Sequence, residues 1–504
     1  MRLKRIILAV ACCLSVVSRA ETLCVRISDQ AAFDTLGRTV RSFLEGEGTE
    51  LELQLDSGRF FYRDRHLSLE GVDAPGKVIR IAGNHTSLYP SLIQADYSPE
   101  SCRYAAGPQG PVAVPEVREM KKAGFFVCVT DRKNKICRIR TDREQDPSLA
   151  GNGYVFLTQW FRGRAYPITA VRGKYIYFRV DDLRLKRVLY SVNLDWTFAM
   201  MFPRYCILDG RKEMTRSDLS ADATTFCSLR QANLGGFSLS GIGFIGNSRL
   251  PDAPQALIAI DKCNTPVRID RCLFSQIRSD CLTVSSSDDI TVEDCTFEDC
   301  YRRCISADNG SARIAILRNR IDRSGLSGDN VACLSCYGTD FQIRDNIISD
   351  FGYTAIHSGL HFSLEKKEPL TGVISGNEIF QTPSYFAAAP LTGLMDSGAI
   401  YVATQNDDVL IEGNHIHDIN GPTYNRGIFV DDGGSHIRMI GNTVTGIANY
   451  YCIDVDPRSA RKMLRRKNRQ VQIANVDVEV RDNVVSGKMR VSKPRRAWWK
   501  ARRP

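Results

Sequence analysis

The sequence predicts an all-β protein: a right-handed parallel β-helix with an N-terminal capping helix and an inserted β-rich subdomain. Three observations carry that prediction. First, one motif recurs nine times, starting at Phe237, Val267, Ile290, Ile314, Phe341, Gly372, Val409, Ile437 and Val478. Second, each copy alternates apolar and polar residues with a period of two, which marks strands and not helical repeats. Third, each copy carries an anchor followed two places on by an apolar residue, the anchors running Ile242, Cys272, Cys295, Asn319, Asn346, Asn377, Asn414, Asn442 and Asn483. From Cys272 onward the anchors lie roughly 23 to 41 residues apart, a solenoid spacing. Coils of this kind stack along one axis. An Asn at each bend is suited to satisfying the buried backbone groups of the next coil.

In chain order, residues 1–20 read as a secretory signal peptide. Arg2, Lys4 and Arg5 give the basic start, 6–17 the apolar run, and Ser18 and Ala20 the small residues before a cut. That run is too short to span a bilayer, and Cys12 and Cys13 leave a lipoprotein alternative open. The N-terminal cap and first rungs are expected in 21–87. Ser28 is expected to cap a helix over 29–44, with Ala32, Phe33, Leu36, Val40 and Phe43 on one face. Such a helix would plug the open edge of the first coil. The alternating runs 51–55 and 77–83, with 58–62 between them, read as early strands.

Residues 88–205 break the period. Pro90, Pro99, Pro108, Pro111 and Pro115 mark loop. The β-rich runs 123–130, 136–140, 154–159 and 174–180 predict an inserted small barrel or sandwich, with Trp160 in its core. Residues 206–490 return to coils, and 491–504 are expected to be a basic, disordered tail.

The formal net charge of +10 is unevenly spread. The loop 458–469, the stretch 488–504 and the leader hold enough Lys and Arg to leave the rest of the chain net negative. A nucleic-acid partner would require a basic face interleaved with aromatics. Only Trp498 and Trp499 in the tail hint at one, so no nucleic-acid partner is expected. No segment is long enough to cross a membrane, and the chain is expected to be exported, as a periplasmic, cell-surface or secreted monomer.

Seventeen cysteines in an exported chain suggest disulfides. However, Cys272 and Cys295 are anchors, and Cys281 and Cys304 recur at the same offset, so buried, stacked thiols are the preferred reading for most. Cys333 and Cys336 form a C-x-x-C with no second pair at zinc-site spacing, so no metal is expected.

The later coils carry a further strand, beginning at Cys281, Cys304, Cys333, Ala355, Ala399, Gly427 and Cys452. The phase opposite to its apolar residues must face out. That outward column holds Thr283, Ser306, Ser335, His357, Tyr401, Phe429 and Asp454; the neighbouring column holds Asp308, Tyr337, Gly359, Ala403, Asp431 and Asp456. Rings and acids gathered on the late coils suit a sugar-binding groove.

Carboxylates on adjacent coils would have backbones ~4.8 Å apart, close to the ~5–5.5 Å of a retaining glycosidase; two coils approach the ~6.5–9.5 Å of an inverting one. Asp396, Asp431 and Asp456 are therefore the candidate catalytic carboxylates, and like-charge crowding is expected to keep one protonated. His357, Tyr401, Arg426, Phe429, Asp432 and Asp454 are the candidate substrate-binding residues. A plain turn at 431–434 is an alternative for Asp431 and Asp432. His415 and His417 read as structural.

The segments MDSGAIYV at Met395, IEGNHIHDI at Ile411 and RGIFVDDGGSHIRMIGN at Arg426 resemble bacterial β-helix carbohydrate enzymes, and among them glycoside hydrolase family 141. That family includes α-L-fucosidase and xylanase activities. The resemblance covers about 355–442 and implies roles for Asp396, Asp431 and Asp432, with His357 in the preceding AIHSG segment. The expected function is a glycoside hydrolase acting on a polysaccharide or glycan without a cofactor. The alternatives are a polysaccharide lyase, which would need Ca²⁺ or an arginine such as Arg426 to neutralise uronate, and a non-catalytic glycan-binding protein.

Overall fold

The computed structural model describes residues 16–19, 22–62, 66–84, 90–95, 118–119, 128–131, 134, 136–141, 144–151, 153–159, 162–179, 204–209, 225–246, 256–277, 279–300, 302–325, 331–359, 368–383, 397–403, 407–419, 425–431, 436–448, 450–455 and 478–491. Its strands stack into three long sheets of 13, 11 and 11 members, forming a parallel β-helix. One coil runs Val267–Asp270 in the first sheet, Leu273–Ser275 in the second and Asp280–Ser285 in the third. The next coil repeats this with Asp288–Glu293, Thr296–Glu298 and Ile305–Ala307. Val267 then faces Ile290, Leu273 faces Thr296 and Leu282 faces Ile305, all in parallel register.

The period-two alternation puts one apolar column of each sheet inside. Leu239, Ile269, Val292, Ile316, Ile343, Ile374, Ile411 and Met439 form one such column, all buried. On the second sheet Phe244, Phe274 and Phe297 stack in series, with centroids 5.3 and 4.7 Å apart. In the other inward column of the first sheet, a Cβ on Gly372 would lie 2.5 Å from the Phe341 ring of its register partner, so the missing side chain makes room for the ring of the coil before.

The bend between the first and second sheets explains the anchors. Arg271, Asp294, Arg318, Asp345 and Asp482 precede an anchor with φ between 50° and 58°, and glycines do so at 241, 376, 413 and 441. This left-handed residue turns the chain, and the anchor then points into the barrel of coils. The Asn346 backbone N–H donates to Asn377 Oδ1 at 3.0 Å, while Asn346 Nδ2 donates to the same oxygen and to the Ile316 carbonyl. The same pattern links Asn319 to Asn346, Asn377 to Asn414, Asn414 to Asn442 and Asn442 to Asn483. Cysteine extends the ladder: the Cys295 N–H donates to Asn319 Oδ1, and the Cys272 N–H to Cys295 Sγ. Cys272, Cys281, Cys295, Cys300 and Cys304 are buried thiols. Burial pushes Cys281, Cys295 and Cys300 well above the usual thiol range, and Cys336 up to about 12.

At the N-terminal end two short helices, Gln30–Asp34 and Leu36–Glu45, replace the single expected one. Asp29 and not Ser28 is the cap, its carboxylate accepting from the Ala32 N–H at 2.9 Å. Both residues suit the position, and neither periodicity nor composition separates neighbours. The buried face is Ala32, Phe33, Leu36, Val40 and Phe43. Lys77 Nζ donates to the carbonyls of Phe43, Gly46 and Gly48, satisfying groups that the helix end leaves open. Val16–Arg19, within the expected signal peptide, pair antiparallel with Thr22–Ile27.

His66 stacks on Phe33 at 4.4 Å, and its Nε2 bonds to the Phe33 carbonyl at 3.0 Å. Burial holds its pKa below the ordinary value despite that bond. The folded chain thus resists protonating a group that titrates near ~6.5 when unfolded. Its contribution is complete above that pH and falls as pH drops from there toward the folded value. Unfolding midpoints are expected to fall between about pH 7.5 and about pH 5.5 in the natural chain, and to fall less in His66→Gln.

The insertion forms a seven-stranded sheet separate from the solenoid, and its pairings are antiparallel. Among the described residues its strands follow one another in a single hydrogen-bonded order, where a small barrel or sandwich is expected from the sequence. Arg162–Arg172 pairs over its first half with Gly153–Gln159 and over its second with Tyr175–Arg179. Its junctions also shift. Ser91–Ala95 still belongs to the solenoid, against Gly58–Tyr62 and Gly243–Ile245. Arg204–Asp209 still belongs to the insertion, so Cys206 faces Phe156 and does not open a coil. Trp160 and the tail 492–504 lie outside the described residues.

Candidate functional site

The third sheet aligns the expected outward column residue by residue. Thr283 faces Ser306, Ser306 faces Ser335, Ser335 faces His357, His357 faces Tyr401, Tyr401 faces Phe429 and Phe429 faces Asp454. Ile356, Ile400, Ile428 and Ile453 occupy the opposite phase inside the solenoid. Tyr401, Ala403 and Phe429 form a small apolar cluster of their own, apart from that core. The rings are continuous: His357 to Tyr401 is 4.9 Å and Tyr401 to Phe429 is 5.1 Å, both edge-to-face.

Asp431 belongs to this outer cluster. The Tyr401 hydroxyl donates to Asp431 Oδ2 at 2.9 Å, and the Asp431 backbone N–H donates to the Val402 carbonyl. At the other end of the ring column Tyr337 bonds to His357 Nδ1 at 2.8 Å and packs edge-on against it. Burial pushes the Tyr337 phenol above its ordinary value, so it stays protonated. The described wall therefore runs Tyr337, His357, Tyr401, Asp431.

The expectation of an open wall is corrected in its last coils. Asp431 is only 8% exposed, and Tyr401 and Phe429 are buried too. Asp454 is 0% exposed and Arg426 4%. Arg426 Nε donates to Asp454 Oδ2 at 2.7 Å while its guanidinium lies 3.6 Å from the centroid of Phe429 and 4.7 Å from that of Tyr450. Arg490 grips the same carboxylate with Nε at 2.6 Å and a terminal nitrogen at 2.8 Å. Asp454, Arg426 and Phe429 thus form a packed ion cluster and not a surface offered to a sugar. Strand phase says which side a residue takes; it does not say what lies over it. Asp396, Asp432 and Asp456 lie outside the described residues.

Breaking a buried pair from one side leaves an uncompensated charge, a cost of about 3–5 kcal/mol. Asp454→Ala strands Arg426 and Arg490 together and is expected to lower the unfolding free energy by about that amount, measured in urea.

Sequence reasoning passed over several residues here. Tyr337 was in the neighbouring column, and its reach to His357 follows from that adjacency. Arg490 is the last outward member of the third sheet, in register with Asp454. Asp308 is a bend residue: burial pushes its carboxyl up, but bonds from the Ser286 N–H, Ser285 hydroxyl, Gly310 N–H and Ser311 hydroxyl outweigh this and hold it below its ordinary value.

Residues 235–393 match a protein-family model described as a right handed beta helix region. The coils are right-handed. No curated protein matches the chain. Among solved structures, similarity extends to a mutant tailspike protein of E. coli bacteriophage HK620 in complex with a pentasaccharide. It has 10% identity and a TM-score of 0.37 over 92% of this chain and 63% of that one. A second mutant of that tailspike gives 12% identity and 0.41 over the same shares. The Gp54 tailspike of Acinetobacter baumannii bacteriophage AP22, in complex with A. baumannii capsular saccharide, gives 11% and 0.24 over 83% and 73%. The chain spans 63% of the HK620 tailspike's length. No helix among the described residues is long and apolar enough to cross a membrane.

Proposed function

We propose that this protein binds and hydrolyses a polysaccharide or glycan along the outer wall of the third sheet, with Asp431 as one of two working carboxylates. The observation that carries this reading is the Tyr401–Asp431 hydrogen bond at the end of the His357–Tyr401 ring column. The half-buried rings of Tyr337 and His357 can contact the apolar side of a sugar, and the tethered Asp431 carboxylate beside the column is fixed in position for acid–base or nucleophilic work. Asp396 immediately precedes Ser397–Val402, the strand that carries Tyr401; Asp456 follows Tyr451–Val455 on the coil beyond. Asp456 is the candidate second carboxylate, because Val430 and Val455, the residues just before Asp431 and Asp456, are register partners on adjacent strands ~4.8 Å apart, whereas Ser397, beside Asp396, pairs with Asn425, six residues from Asp431. The resemblance of 355–442 to glycoside hydrolase family 141 agrees with this choice, and so does the export expected from the N-terminal residues.

The lyase alternative loses one of its two neutralisers, since Arg426 is committed to Asp454, and would rest on Ca²⁺. The test is incubation with plant-wall and mucin-type glycans. Reducing ends are expected to appear without an ultraviolet-absorbing unsaturated product. An unsaturated product points to a lyase, and tight binding without any cleavage to a glycan-binding protein; either outcome overturns hydrolysis.

A further inference from the structure

We propose that Glu378, His415 and His417, on the outer face of the second sheet, form a binding site for a divalent transition-metal ion of the zinc class. His415–His417 is a three-residue strand beside Glu378–Phe380, and the register sets His415 opposite Glu378 and His417 opposite Phe380. Ile379 and Ile416 point inward and are fully buried, so the residues on either side of each project from one surface.

Glu378 Oε1 lies 3.4 Å from His417 Nε2 and 4.0 Å from His415 Nδ1, and one ligand atom from each residue falls within 4.8 Å of the others. A tetrahedral ion with bonds of ~2.0–2.1 Å spaces its ligands by about 3.4 Å, so small side-chain rotations suffice. Two imidazoles and one carboxylate suit zinc and its neighbours in the first transition row.

A second, independent observation supports the site. His417 Nδ1 is 2.8 Å from Asp418 Oδ2. An ionised carboxylate only accepts, so Nδ1 carries a proton toward Asp418, while Nε2 lies 3.4 Å from Glu378 Oε1, the position in which a bound ion would take the place of a shared proton between them. A carboxylate behind a histidine in this way orients metal-ligating imidazoles. Phe380 stacks on the same ring at 4.9 Å, nearly parallel, and limits its rotation. Asp418 itself is held at φ 53°, and a Cβ on Gly446 would meet its backbone nitrogen at 2.8 Å and its Oδ1 at 2.9 Å. The glycine leaves room for this carboxylate. His415 is exposed and Glu378 half-buried, so one side of the site is open to water or a ligand as the fourth donor.

The test is titration of the tag-free full chain with Zn²⁺, and with Co²⁺ followed by visible absorption. One ion per chain is expected, with the intense bands of tetrahedral cobalt. His415→Ala and His417→Ala are expected to abolish the bands, and Glu378→Gln to weaken binding by more than tenfold. Asp418→Asn, a positioning change, is expected to weaken it by about 10–100-fold. Thermal unfolding without metal should be unchanged in these surface variants, separating lost ligands from lost fold. Absence of saturable binding, or equal binding by the histidine variants, overturns the proposal and leaves an adventitious ion only.

Discussion

Asp431→Asn is expected to reduce turnover of the cleaved glycan by about a thousandfold or more, equivalent to about 4 kcal/mol of transition-state stabilisation, while leaving affinity within a few-fold. The side chain keeps its size, and its amide oxygen still accepts from Tyr401, so the ring column stays in place. What is lost is the charge that a nucleophile or base requires. Tyr401→Phe is the matched control. It retains the packing against His357 and Phe429 but removes the donor, and a smaller loss, about tenfold, is expected. Unchanged turnover in Asp431→Asn would return the residue to the turn-forming role that Asp and Gly at 431–434 also allow.

The second large effect is on stability. Asn377→Leu keeps the branching at Cγ, with a somewhat larger side chain, yet removes the middle of the ladder. Asn346 loses the acceptor for its backbone N–H and its amide, and Asn377's own donations to the Ile343 carbonyl and Asn414 disappear. These groups are buried, and each unsatisfied one costs about 1–3 kcal/mol. A loss of about 3–5 kcal/mol is expected, read from the urea midpoint at unchanged slope. Asn483→Leu, in the final and partly exposed coil, should cost about 1 kcal/mol, because water reaches the groups it abandons. Equal costs at both positions would mean that the ladder does not derive its strength from burial.

The solenoid was legible because its rule is local. A period of two, a left-handed residue and, from Cys272 onward, an inward Asn or Cys repeat from coil to coil, so Ile343, Asn346 and their counterparts could be placed without knowing what they touched. The same phase argument set His357, Tyr401, Phe429 and Asp454 in one file, and the register agrees. It failed where contacts come from outside the repeat. Arg426 folds across Phe429 to reach Asp454, and Arg490 arrives from the following coil, so a file read as an open wall is partly closed. His415 and His417 read as structural because they sit on an anchor strand outside the proposed groove; Glu378, from the preceding coil, meets them only through strand pairing. The insertion's edges were misplaced because Ser91–Ala95 and Arg204–Asp209 carry no anchor to mark which sheet they join.

The most direct test of the central claim is diffraction from Asp431→Asn crystals soaked with an oligosaccharide that the natural chain cleaves. A sugar ring is predicted against Tyr337 and His357 with its glycosidic oxygen within about 3 Å of the amide at position 431. Sugar seated on the first or second sheet, or none at saturating concentration, would contradict the assignment of the third sheet's outer wall as the place where glycan is held.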